Sequence, residues 1–158
     1  MTKVFAVKPA PDVGKVLAGA QFIDAYRVTV AADGLDAADA ARSMLAHPPA
    51  WVDRLMALRN ALVAPFGLKK DPGPYDRRKR FGIFPIESAT RNRVVLGFDD
   101  KHLDFRVVVD VVGVGGASEV TATTLVRLNN LLGRAYLTSI LPFHKLIVRA
   151  MLSKVGAC

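Results

Sequence analysis

Leu103-Asp-Phe-Arg-Val-Val-Val-Asp-Val-Val112 decides the fold. Leu103, Phe105, Val107, Val109 and Val111 share one side of an extended chain, while Asp104, Arg106 and Asp110, with His102 just before them, share the other. Successive side chains of a strand point to opposite faces, so this period of two predicts a strand in a sheet that is covered on one side. Outward from it, Gly82–Ser88, Arg93–Phe98 and Glu119–Leu128 are short, β-rich and divided by turn residues such as Asp99-Asp100-Lys101 and Gly113-Val-Gly-Gly116. Links this short predict an antiparallel meander. One earlier strand is expected over Gln21–Val30, which carries Phe22, Tyr26, Val28 and Val30.

Helical spacing takes over on either side. Asp36 stands where an N-cap belongs, with Asp39 in the first turn, so a short helix is expected to run to about Leu45, where His47-Pro48-Pro49 stops the chain. A second helix is expected from Pro49 to about Val63, with Trp51, Leu55, Leu58 and Leu62 on one stripe. A third, capped by Asn129 or Asn130, reaches about Lys154 and repeats Leu132, Tyr136, Phe143, Ile147 and Ala150 along the stripe predicted to face the sheet. Pro142 predicts a bend or break in it, because the ring crowds the carbonyl of Thr138. Together these elements predict an α+β fold in which a curved antiparallel sheet wraps around a long C-terminal helix. One domain is expected over residues 1–158, with an irregular segment at 1–20 and a basic loop at 65–81.

Composition excludes several classes. About half the chain is hydrophobic (51%) and 23% is charged, which is too apolar for a disordered chain. The longest apolar run, near Ala135 to Val148, holds Thr138, Ser139, Pro142, His144 and Lys145, so no membrane-spanning helix is expected. The first residues lack the apolar core of a signal peptide, which predicts a cytoplasmic location, and the lone Cys158 has no partner for an internal disulfide. A net charge of +8 concentrates at Lys69 to Arg80. Pro72, Gly73 and Pro74 make that run a loop, which suits an anionic surface contact and not specific nucleic-acid recognition.

The strings VVLGFDDKHLDFRV (94–107) and NNLLGRAYLTSILPFHKLIVRAML (129–152) resemble the bacterial domain-of-unknown-function 2867 family. The resemblance runs from about Asp24 to Lys154 and includes the WVDRLMALRN helix. That family resembles the START-like, or helix-grip, superfamily. The resemblance implies a sheet gripping the last helix around a hydrophobic cavity, and occasional fusion to a dinucleotide-binding domain. It implies no established activity.

Candidate chemistry is sparse. Asp100, His102 and Asp104 alternate on one strand face but fall at a turn and are too few for a metal site. Gly113-Val114-Gly115-Gly116 lies between two strands, where no helix N-terminus cradles a phosphate, so no dinucleotide or other cofactor is expected. Ser139, His144 and an acid make no recognisable nucleophile motif. Arg59 falls inside the apolar arc of the second helix, where Asp104, Glu87 or a ligand carboxylate could pair with it, unless its head reaches water. Trp51, Arg59, Phe84, Phe105, Tyr136 and Phe143 are the expected lining of a cavity for an apolar or amphipathic small molecule. Two other readings stay open. One is a polyketide cyclase or dehydratase-like enzyme using Glu87 or Asp104 as proton carrier in an apolar pocket. The other is an accessory domain acting with a dinucleotide-binding oxidoreductase. Leu137, Leu141 and Val148 form a second apolar flank of the last helix, to be covered by the N-terminal segment, by the short first helix or by the second subunit of a two-fold homodimer.

Overall fold

The computed structural model describes residues 3–45, 50, 54, 80–81, 84–99 and 103–157. In chain order its elements are β1 (Val4–Val7), β2 (Phe22–Val30), α1 (Ala37–Leu45), β3 (Arg80–Phe81), β4 (Phe84–Ala89), β5 (Arg93–Asp99), β6 (Leu103–Val114), β7 (Ala117–Leu128) and α2 (Leu131–Ser153). The strands form one antiparallel sheet in the order β1-β2-β7-β6-β5-β4-β3. The meander β4 to β7 is as expected, and β3 adds a short strand to its edge. β2 then closes against the last strand along its whole length, from Phe22 opposite Val126 to Val30 opposite Ser118.

β6 and β7 run two residues further than their alternation suggested, to a hairpin whose loop is Gly115-Gly116 alone. Both glycines have positive φ, 53° and 82°, the conformation that a two-residue primed turn requires. β4 carries a bulge between Ile86 and Ser88, an irregularity that bends a strand and increases its twist.

The register gives the sheet two faces. On one, Leu96, Val107, Val109, Val111, Val120, Ala122, Tyr26 and Val28 join a buried core with both helices. α1 packs over β5 and β6, and α2 over β2 and β7. Ala37, Ala40, Ala41, Met44 and Leu45 are the buried residues of α1, the i, i+3, i+4 pattern of an amphipathic helix. Three alanines on that stripe let the helix lie close to the strands. Its first turn is held by the Asp36 carboxylate, which accepts from the Ala38 amide at 2.7 Å.

α2 starts at the Asn130 cap, whose side chain accepts from the Gly133 amide at 2.9 Å, and it runs unbroken through Pro142. Its buried residues are Gly133, Leu137, Val148, Met151 and Leu152, with Leu141 packed beside Leu137. Of the covers open to the second apolar flank, the structure shows the one within the chain, and the flank is core. The stripe of Tyr136, Phe143 and Ile147 is turned partly outward, and Phe143 is 48% exposed. The helix is apolar over so wide an arc that its sequence does not fix the rotation about its axis. The sheet fixes it.

The other sheet face corrects two expectations. Residues 1–20 are not wholly irregular: β1 pairs with β2, and Val13 and Leu17 are buried. Nor is this face purely polar, because Val95, Val108 and Leu125 form a small core with Leu17, flanked by Val16 and Ala20. The four residues Val4–Val7 are too few to show a strand period, and Val108 is a buried apolar residue between Arg106 and Asp110 in the polar series of β6. Of the basic loop, Arg80 and Phe81 form β3, opposite Pro85 and Phe84, and residues 65–79 lie outside the described residues.

Candidate functional site

The core beneath the helices is interrupted by a polar seam. One apolar cluster gathers α1 and the C-terminal half of α2 (Val148, Met151, Leu152), and a second gathers Leu103, Val126 and Leu137 with Phe22, Tyr136, Ile140 and Leu141. Between them the register turns Asp24 and its partner Thr124 toward α2, since Phe22 opposite Val126 and Tyr26 opposite Ala122 share that face. Thr124 is 4% exposed. His144 comes down onto Asp24 because it lies on the buried stripe of α2, seven residues after Leu137 and four before Val148.

The His144 Nε2 stands 3.2 Å and 3.1 Å from the two Asp24 carboxylate oxygens, and both side chains are mostly buried. The Phe22 ring meets the imidazole edge-on, with centroids 5.8 Å apart at 80°. When Nε2–H donates to the carboxylate, the neutral ring keeps its lone pair on Nδ1. The pair thus supplies an oriented imidazole acceptor, or an imidazolium already neutralised by Asp24, inside an apolar interface.

The opposite face is rich in charge, and its arginines are ion-paired. Arg27, Thr121, Asp110 and Arg93 form one row across β2, β7, β6 and β5. Arg93 donates to both Asp110 oxygens, at 2.6 Å and 3.1 Å, and meets Asp12 at 2.9 Å. These carboxylates, Asp110 first, hold the Arg93 guanidinium above the ordinary arginine range, and Arg93 in turn holds the Asp12 carboxyl below the ordinary carboxylate range. Arg27 donates to Thr121 at 3.1 Å and reaches Glu119 at 3.5 Å. A groove of about 400 Å³ opens over this row, walled by Lys8 and Ala10 of the N-terminal segment. The bonds across it tie that segment to the sheet.

The two acids named for proton transfer are also paired. Asp104, 4% exposed, accepts from Arg127, directly opposite on β7, and from Asn129 Nδ2 at 3.3 Å. Arg127 reaches onward to the Ala18 carbonyl at 3.1 Å. Glu87, at the β4 bulge and half exposed, meets Arg106 Nε at 2.5 Å. Burial opposes the charge on Arg106, but Asp99 and Glu87 outweigh it and raise its pKa overall. Asp104 is bonded to Arg127, and Asp100 and His102 lie outside the described residues.

Of the expected lining, Phe105 on β6 and Tyr136 on α2 are both partly buried, and Phe105 packs on both apolar clusters. Phe143 sits at the helix surface. Phe84 opens β4. Trp51, Arg59 and the side chain of Phe84 lie outside the described residues. Asp24 and His144 were missed. The available signal was one acid among the inward positions of β2 and one histidine on the Leu137, Leu141, Val148 stripe.

The model of the protein family of unknown function DUF2867 matches residues 16–151. The chain belongs to this family. The DUF2867 span runs from the Leu17 contact through the sheet to Met151, so Asp24, His144, Phe105 and Tyr136 all fall within it, whereas β1 precedes it. No curated protein and no solved structure matches the chain. Among the described residues, no helix is long and apolar enough to cross a membrane.

Proposed function

We propose that the protein binds an apolar or amphipathic small molecule between the sheet and α2, with the Asp24–His144 pair as the polar anchor. That pair is the observation that carries the reading. An interface built for stability alone gains more from apolar residues of equal volume, because desolvating two ionisable groups costs about as much as their attraction returns. Small-molecule sites, in contrast, are mostly apolar with a few placed polar groups that orient the ligand. Phe22, Phe105 and Tyr136 supply apolar walls beside the pair. Trp51, Arg59 and Phe84 complete the proposed lining, with Phe143 at its rim, and the helix-grip resemblance supports a ligand in this place.

A second reading draws on the same pair. In a cyclase or dehydratase-like enzyme the proton carrier would be His144, its ring held in place by Asp24 with Nδ1 left to face a ligand, in preference to the ion-paired Glu87 and Asp104. Native mass spectrometry of freshly purified protein tests the binding reading. The expected result is a discrete extra mass of small-molecule size that denaturation removes. Repeated preparations showing only the bare chain, with no uptake of 1-decanol or decanoate, would refute it.

A further inference from the structure

We propose that the outward face of α2 is a docking surface for an anionic lipid bilayer. The inference is independent of the ligand proposed above. It starts from sequence: the 23 residues of α2 contain Arg134, Lys145 and Arg149 but no Asp or Glu. On the structure, Leu131 is 82% exposed, Leu146 59% and Phe143 48%. At 100° per residue, Leu131, Ala135, Pro142 and Leu146 centre on the side opposite Leu137 and Val148, with Arg134, Lys145 and Arg149 along one flank and Phe143 on the other. The outward face of a surface helix is ordinarily its charged face. Here its centre is apolar.

The cations are available to a partner. Neither Arg134 nor Lys145 has a carboxylate in reach among the described residues, and Arg149 lies over the Tyr26 ring, 5.4 Å from its centroid. An apolar strip edged by unpaired cations matches the boundary of an anionic bilayer, where Leu and Phe enter the acyl region and Lys and Arg meet phosphates. A helix of this length lies flat over about 34 Å. A second copy fits worse. A two-fold contact through this face brings the same three cations of each subunit together, in a chain whose net charge is already +8.

The test is cosedimentation of the full chain with vesicles of phosphatidylcholine alone, or of three parts phosphatidylcholine to one part phosphatidylglycerol. Binding is expected only to the anionic vesicles and should fall as salt rises. Arg134→Glu with Lys145→Glu should lower partitioning roughly 25-fold or more, at about a factor of five for each cation lost near the surface. Leu146→Ser with Phe143→Ser should remove the binding that survives at high salt. Lys8→Glu with Lys15→Glu makes the same charge change on the opposite face and should leave binding within about twofold. Circular dichroism confirms that each variant is folded. Equal loss from both charge reversals would overturn the proposal by showing attraction to the whole basic chain. So would equal binding to neutral vesicles, or a dimer in light scattering that Leu146→Glu converts to monomer.

Discussion

Truncating Arg127 to alanine strips Asp104 of its main partner. The carboxylate is 4% exposed and accepts from two guanidinium nitrogens of Arg127, so it is left as an uncompensated charge at the base of β6. Breaking a buried pair from one side costs about 3–5 kcal/mol. Two features hold this case to about 2–3 kcal/mol: the Arg127 side chain is 40% exposed, so water reaches its place, and Asn129 Nδ2 stays 3.3 Å from the acid. Losing the Arg127 bond to the Ala18 carbonyl adds about 1 kcal/mol and loosens the N-terminal segment. The sum is about 3–4 kcal/mol, which lowers the urea midpoint by about 1–2 M for a domain of this size. Replacing both residues, Asp104→Leu with Arg127→Leu, should recover more than half of that loss, since no unpaired charge remains. Equilibrium urea unfolding at neutral pH reads both numbers. An Arg127→Ala variant within about 0.5 kcal/mol of the unmodified protein, or a double variant as unstable as the single one, would refute the assignment of Asp104 to a structural pair.

Gly97→Ala should be severely destabilising, by about 3 kcal/mol or more, because φ is +148° and an added Cβ would stand 2.1 Å from the Phe105 carbonyl oxygen, which is backbone and cannot turn aside; thermal unfolding measures it. The Asp12–Arg93 tether should be pH-dependent. Arg93 lowers the Asp12 pKa from 3.8, so the contribution is present above that value and is lost as pH falls through the lower folded value. Amide resonances of Val13 to Leu17 should move as the pH falls below about 4 in the unmodified protein, and should already be displaced at neutral pH in Asp12→Asn. Asp24→Leu with His144→Leu should raise stability by about 1 kcal/mol or more in urea while abolishing retention of the bound molecule, the separation expected of a pair kept for function.

Local patterns carried most of the architecture. The alternation of β6, the Asp36 cap and the wide apolar arc of the last helix each have a short-range physical cause, and each reads directly from neighbouring residues. What escaped depends on long-range pairing. Leu137 and Tyr136 are equally apolar, and only the position of β2 beside β7 decides which of them α2 buries. The same register brings Asp24 and His144, 120 positions apart, into contact. Singly, each is one polar residue in an apolar run. Val108 is the counterexample, an apolar residue set between Arg106 and Asp110 that could have announced the cover formed by Leu17.

The central claim is that a ligand lies between the sheet and α2, anchored by Asp24 and His144. The chain has three histidines, so the His144 ring is a resolvable reporter in a nuclear magnetic resonance titration with 1-decanol. The account predicts a saturable, one-to-one shift of the His144 ring together with Phe105 and Tyr136, absent in Asp24→Leu with His144→Leu. Shifts confined to the Lys8, Arg27 and Arg93 groove, or to Leu131 and Leu146 on the outward face of α2, with the His144 ring unmoved, would contradict it.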